Sequence, residues 1–99
     1  MKIKVQSIHF TADRKLLQFV EEKVDKLFLY YDQIIDSEVF LRLDKSDSSE
    51  NKIAEIKINT PGKILFAKEQ CKTFEEATDT AVEALRRQIT KHKEKLRGE

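Results

Sequence analysis

The 99 residues are enough for one compact domain, since typical domains run to roughly 100 to 150 residues. With 39% apolar residues, the core of such a domain can be stable without disulfides or metal ions. The single cysteine excludes an internal disulfide, and no apolar run approaches the roughly 18 residues of a membrane span, so we expect a soluble, cytoplasmic protein without a membrane partner. The 19 Lys and Arg residues nearly balance the 18 Asp and Glu residues, and a net charge of +1 by itself suggests no polyanionic partner.

The first two predicted elements differ in their hydrophobic period. Ile3 and Val5 alternate with polar residues, which indicates a half-buried strand over 2–7. From Thr11 onward apolar residues recur every three or four positions, and Thr11 is the predicted N-cap of a helix over about 12–31. The chain therefore begins with a strand followed by an amphipathic helix. The apolar stripe of that helix consists of Leu16, Val20, Val24, Leu27 and Tyr31.

Three further strands are predicted in the middle of the chain. Apolar and polar residues alternate over 38–43 and again over 54–59, which indicates a hairpin around the polar loop 45–51. After the turn at 60–62, the apolar run 64–67 predicts a fourth strand. Both sides of that strand are apolar, so its buried side is not assigned.

The last predicted element is a helix that runs to about residue 97. Thr73 and Glu76 have the capping-box spacing that marks its start. In the order β-α-β-β-β-α, the first two strands pair in parallel through a right-handed crossover, and the last three form an antiparallel meander. We therefore predict an α+β fold with a four-stranded mixed sheet and both helices on one face. The C-terminal helix, roughly 36 Å long, should overhang strands of about 20 Å.

Charges are separated along the C-terminal helix. Residues 73–85 contain four acids and no base, whereas residues 86–99 contain six bases and two acids. Bases at a helix C-terminus complement the macrodipole, but that effect fades within one turn and leaves most of these bases unexplained. The pattern therefore favours a surface that binds a polyanion. Its bases are Arg86, Arg87, Lys91, Lys93, Lys95 and Arg97.

The first helix carries a smaller basic stripe beside its apolar residues. If the helices pack side by side, Lys15, Lys23 and Lys26 join the C-terminal bases in one surface. Phe19 and Tyr30 lie at helical spacing among these lysines and suit contacts with nucleotides, although packing at the edge of the core is the favoured interpretation for both. Residues 32–55 contain seven acids and three bases, so we expect a bipolar molecule.

Patterns for catalysis or metal binding are weak. Cys71 has no second cysteine at CxxC spacing, and His9 and His92 lie in different predicted elements without a metal ligand three or four residues away. We predict no catalytic residues, no metal and no cofactor, and interpret His92 as a packed or partly exposed helix residue. The residues alone favour a binding module for structured RNA. The alternative is a protein-interaction module whose basic C-terminal helix docks on an acidic protein partner.

Three segments resemble a known family. Residues 19–34, FVEEKVDKLFLYYDQI, are similar to the first helix of the ribosome hibernation promoting factor family, also called the ribosome-associated inhibitor or YfiA-like family. Residues 85–96, LRRQITKHKEKL, resemble its C-terminal signature, and residues 54–61, AEIKINTP, resemble its third strand and turn. The similarity follows the same order of elements over nearly the whole chain.

The resemblance implies a layout like that of double-stranded-RNA-binding domains and a single ribosome-binding domain over 1–99. It implies a hibernation factor that lies on ribosomal RNA in the messenger and transfer RNA channel of the small subunit and reversibly blocks translation under stress, with no DNA partner. The end of the sequence at Glu99 suggests a short form that would work beside a second hibernation factor in any ribosome dimerisation. The family's basic positions correspond to Lys23, Lys26, Arg87, Lys91, Lys93 and Lys95, and helix geometry adds Arg86 and Arg97.

Overall fold

The computed structural model describes residues 2–45 and 49–96. Six elements follow one another in the predicted order β-α-β-β-β-α. They are β1 (Ile3–Ser7), α1 (Arg14–Tyr30), β2 (Asp36–Leu43), β3 (Lys52–Thr60), β4 (Lys63–Cys71) and α2 (Phe74–Leu96). Residues 46–48 of the predicted polar loop and Arg97 of the predicted basic surface lie outside the described residues.

The four strands form one mixed sheet in the order β1-β2-β3-β4. β1 and β2 are parallel, with Val5 opposite Val39. β2, β3 and β4 are antiparallel, and the same row continues through Ile56 to Ala67. This row faces the helices, because side chains of equal parity point to one side of a sheet. The α+β fold class and the sheet topology predicted from the sequence are confirmed.

β4 is longer than the predicted segment 64–67, and its two sides are now distinguished. Leu65 and Ala67 are buried on the helix-bearing face, whereas Ile64 and Phe66 are 60% and 50% exposed on the open face. Both helices lie on the opposite face, so these two apolar side chains of the edge strand β4 remain exposed. Gly62, with φ of +77°, allows the tight turn that returns the chain from β3 to β4.

The N-cap of α1 is Asp13, so the prediction of Thr11 was wrong. Asp13 has an extended backbone, and its Oδ1 accepts a hydrogen bond from the Leu16 amide at 2.8 Å. Thr11 and Asp13 are both good capping residues, but Asp13 directly precedes the first helical residue, and from that position its side chain reaches the amide of the third helical residue, Leu16. The helix consequently begins at Arg14, two residues later than predicted, and ends at Tyr30.

Both helices pack on one face of the sheet, as predicted, and enclose a single core. The N-cap of α2 is Thr73, whose Oγ1 accepts a hydrogen bond from the Glu76 amide at 3.0 Å. The 23 residues of α2 span about 34 Å. The nine residues of β4 span about 30 Å, so the overhang of α2 is smaller than expected. Fully buried core side chains include Val20, Val24, Leu27, Val39, Leu41, Ile56, Ile58, Leu85 and Ile89.

Candidate nucleic-acid interface

α1 and α2 lie side by side and run in the same direction. Lys23 Nζ is 3.0 Å from Asp79 Oδ1 near the middle of α1, and the Tyr30 hydroxyl is 2.6 Å from Thr90 Oγ1 at its end. The C-terminal halves of the two helices, which carry most of the predicted bases, therefore lie at the same end of the molecule. A groove of about 280 Å³ between the helices is lined by Lys23, Lys26, Leu27, Tyr30, Asp79, Val82, Glu83 and Arg86.

Tyr30 lies among cationic side chains at the end of this groove. Its ring centroid is 5.4 Å from Arg86 Cζ and 4.9 Å from Lys93 Nζ, both within the range of cation–π attraction. The hydrogen bond with Thr90, together with the Arg86 and Lys93 charges, lowers the pKa of the Tyr30 hydroxyl, because each stabilises the phenolate. Tyr30 is 37% exposed and shares the groove with the buried Leu27 and Val82, so it lies at the edge of the core with its ring beside the two cations.

Three bases on the outer side of α2 carry uncompensated charge. Arg87 and Lys91 are one turn apart on its exposed ridge, and Lys95 follows one turn later. The Gln88 amide donates to the Phe66 carbonyl oxygen at 2.9 Å, which turns the flank carrying Lys95 toward the β4 edge. In the described part of the chain, these three bases form no ion pair. Their charge is available to a polyanion.

Two predicted bases have acidic neighbours. Lys23 forms the ion pair with Asp79, and Arg86 Nη1 is 3.7 Å from Glu83 Oε1. Both acids belong to the N-terminal half of α2, so the acidic half of this helix reaches the basic groove. Ion pairs between exposed side chains contribute little to stability. We interpret these two acids as local modulators of the positive potential.

Three bases on the open face of the sheet are arranged differently, because each has a carboxylate partner. Arg42 pairs with Glu55, and Lys68 Nζ lies 4.0 Å from the same carboxylate. Lys57 Nζ is 3.8 Å from Glu38 Oε1. These three bases are therefore paired within the sheet, whereas the three outer bases of α2 have no such partner among the described residues.

The structure brings the predicted RNA-binding residues together in two groups. Those beside the groove are Lys23, Lys26, Arg86 and Lys93, and those on the outer side of α2 are Arg87, Lys91 and Lys95. Arg97 stays a prediction from the sequence. Thr90 and Asp79 were missed, although the spacing of Arg86, Thr90 and Lys93 at i, i+4 and i+7 places them on one side of a helix.

Two remaining candidates from the sequence are buried. Burial raises the pKa of the Cys71 thiol, which makes it a poor nucleophile at neutral pH. His92 is a packed helix residue, as predicted, and its ring meets the Tyr31 ring edge-on at 5.8 Å. Over residues 2–45 and 49–96, no group of His, Cys, Asp and Glu side chains has the arrangement of a metal site. Neither helix in this part of the chain combines the length and apolar character of a membrane span.

The fold and this surface define a class of protein, namely a small α+β binding domain with a cationic helical end. The chain belongs to the family described as Sigma 54 modulation protein / S30EA ribosomal protein, whose profile matches residues 3–97. The family resemblance found in the sequence is thereby confirmed.

Two ribosome hibernation factors from other bacteria are similar in sequence to most of this chain. The ribosome hibernation promotion factor of Deinococcus radiodurans is 36% identical over 77 residues, which are 77% of this chain but only 40% of that protein. The ribosome hibernation promoting factor of Pseudomonas putida is 25% identical over 95 residues, covering 96% of this chain and 89% of the relative. The chain thus spans two-fifths of the first relative and most of the second.

Solved structures agree with the fold. A ribosomal subunit interface protein from Coxiella burnetii superposes with a TM-score of 0.83 at 19% identity, covering 94% of this chain and 98% of that one. The N-terminal domain of Thermus thermophilus Protein Y superposes with a TM-score of 0.79 at 26% identity, covering 93% and 99%. Nearly the whole of each matched chain therefore shares this β-α-β-β-β-α architecture.

Proposed function

We propose that this protein is a ribosome hibernation factor that binds the small ribosomal subunit in the channel for messenger and transfer RNA. Bound there, it reversibly blocks translation under stress or in stationary phase, in the cytoplasm and without a chemical step. The single observation that carries the proposal is the group of bases in the C-terminal half of α2, three of which have no acidic partner among the described residues, in a member of this family. The hibernation-factor names of two relatives support it.

Charge complementarity explains how such a hibernation factor would bind to the ribosome and be released from it. Arg87, Lys91 and Lys95 present cations to ribosomal RNA phosphates, and each contact releases condensed counterions, which makes binding tight at low salt. The acids at the opposite end of α2 are repelled by the same phosphates. One orientation in the channel is therefore favoured, and no covalent bond has to be broken on release.

The test is co-sedimentation with purified small subunits across a salt series, comparing the wild-type protein with Arg87→Glu/Lys91→Glu. Losing two phosphate contacts should reduce the slope of log K against log salt by roughly 1.4 to 1.8 and weaken binding about 25- to 60-fold at 0.1 M salt. These side chains are exposed and make no ion pair with another described residue, so the fold should be retained.

The matched control is Arg14→Glu/Lys72→Glu, which changes the net charge by the same amount at the other end of the helix pair. It should bind within about threefold of wild type, since only long-range charge effects remain. Equal weakening of the two double variants would contradict a defined interface on α2. The same pair of variants, assayed for inhibition of translation in a purified system, tests whether occupancy blocks the channel.

The alternative, docking of the basic helix on an acidic protein, is separated by ribonuclease. In cell extract, a complex with ribosomal RNA should collapse to free protein after digestion. A complex with an acidic protein should keep its size. Adding a second hibernation factor to the purified subunits then tests whether ribosome dimers require a second protein.

A further inference from the structure

Four side chains form what we call the Tyr30 cluster: Tyr30 of α1 and Arg86, Thr90 and Lys93 of α2. Arg86 and Lys93 are two helical turns apart, and Thr90 lies between them on the same side of α2. The Tyr30 ring contacts both cations, and its hydroxyl meets Thr90 at 2.6 Å. The ring therefore enters the space between two cationic side chains.

The backbone contributes further contacts to the Tyr30 cluster. Lys93 Nζ donates to the carbonyl oxygen of Tyr30 at 3.3 Å, and this carbonyl is one of the unpaired acceptors at the C-terminus of α1. α1 has no basic residue in its own last turn, so Lys93 supplies the cation that the negative end of its dipole favours. The Thr90 hydroxyl also reaches the Arg86 carbonyl oxygen at 3.0 Å. Each member of the cluster thus has at least two contacts.

None of these contacts neutralises Lys93. An aromatic face, a hydroxyl and a carbonyl attract an ammonium without carrying a negative charge of their own. Lys23 differs, because its partner Asp79 is a full anion. Lys93 is therefore restrained in position yet keeps its whole charge for an incoming phosphate. Arg86 shares this restraint, with Glu83 as an additional, exposed neighbour at 3.7 Å.

We propose that Tyr30 is a positioning residue, which holds Arg86 and Lys93 ready for phosphates before the RNA arrives. This inference rests on the proposed function. Immobilising one long side chain on binding weakens an interface roughly two- to twelvefold, and a cation that is already restrained avoids much of that loss. Tyr30 itself is not assigned a base-stacking role, because Arg86 and Lys93 already occupy the space beside its ring.

Two variants separate positioning from direct contact. Tyr30→Leu removes the ring, and we expect at least roughly fivefold weaker binding to small subunits, from two cations that each lose their restraint. The slope of log K against log salt should stay unchanged, since the number of cations is the same. Tyr30→Phe keeps the ring but not the hydroxyl, and should bind within about threefold of wild type.

Nuclear magnetic resonance of the free protein measures whether the Lys93 side chain lies against the Tyr30 ring. A merely structural role of Tyr30 would not change this measurement. The Lys93 side-chain protons next to the ring should be shifted upfield by the ring current in wild type and in Tyr30→Phe, and should lose the shift in Tyr30→Leu. Loss of the shift with unchanged affinity would refute positioning. A smaller salt slope for Tyr30→Leu would also refute it, because it would mean that a phosphate contact had disappeared.

An immobilised heparin column distinguishes failure of this inference from failure of the proposed function. If wild-type protein does not sediment with small subunits, the proposed function is wrong, and retention on heparin decides the role of Tyr30. Tyr30→Leu should then elute at lower salt than wild type, with Tyr30→Phe close to wild type. Equal elution of all three would overturn the positioning role. Circular dichroism confirms that each variant is folded.

Discussion

Replacing Asp79 by Asn should strengthen binding to the small subunit. Asp79 Oδ1 lies 3.0 Å from Lys23 Nζ in the groove between the helices, and the pair competes with any phosphate for the same ammonium. Asn has nearly the same shape but no charge. The change therefore frees Lys23 without altering the packing of α1 against α2.

The magnitude follows from one additional phosphate contact. The slope of log K against log salt should steepen by about 0.7 to 0.9, which corresponds to roughly five- to eightfold tighter binding at 0.1 M salt. Stability should fall by at most about 1 kcal/mol, because both side chains are partly exposed. For a domain of this size that loss lowers Tm by about 4 to 8 °C.

The assay is sedimentation with purified small subunits at four or more salt concentrations, with Glu75→Gln as the control. Glu75 lies in the first turn of α2 and has no ion-pair partner among residues 2–45 and 49–96, so it reports the effect of net charge alone. Equal gains for the two variants would refute a local role for the Asp79–Lys23 pair. Weaker binding of Asp79→Asn would refute the competition itself and make Asp79 a support for Lys23.

Two further predictions concern the fold. Asp13→Ala should lower the free energy of unfolding by about 1 kcal/mol, since it removes the N-cap of α1. Thr11→Ala should change the free energy of unfolding by less than about 0.5 kcal/mol. Urea denaturation measures both values, and a larger loss for Thr11→Ala would contradict Asp13 as the cap. Native Cys71 should react with a thiol reagent at pH 8 far more slowly than the urea-unfolded protein, because burial raises its pKa, and equal rates would show that the thiol is exposed.

Much of the fold could be predicted because its signals are local. Alternation at Ile3 and Val5, the three-to-four spacing from Leu16 to Leu27, and the Thr73 cap are properties of a few neighbouring residues. The element order then restricts the topology, since parallel crossovers are right-handed and short connections join antiparallel neighbours. Where two local signals compete, the prediction failed, as at Thr11 and Asp13, because only the folded backbone selects which oxygen reaches the free amide.

The candidate site could be predicted in composition but not in arrangement. The bases of α2 are visible as charge along the chain, and helical spacing separates their flanks. Whether Lys23 has an acidic partner depends on how α1 lies against α2, and that depends on contacts between residues more than fifty positions apart. From the sequence alone, Lys23 and Lys91 are equivalent candidates for RNA binding. Among the described residues, however, Lys23 is ion-paired and Lys91 is not.

By itself the sequence determined the elements, the sheet topology, the family and the location of positive charge, because these follow from short-range periodicity and from residue identity. Only the tertiary structure decided the buried side of β4, the cap of α1 and the contacts of Tyr30. The physical reason is that a side chain's exposure, charge partner and restraint depend on what packs beside it. For Tyr30 the neighbours are supplied by α2, and they make an aromatic residue that was expected at the core edge part of a cationic surface.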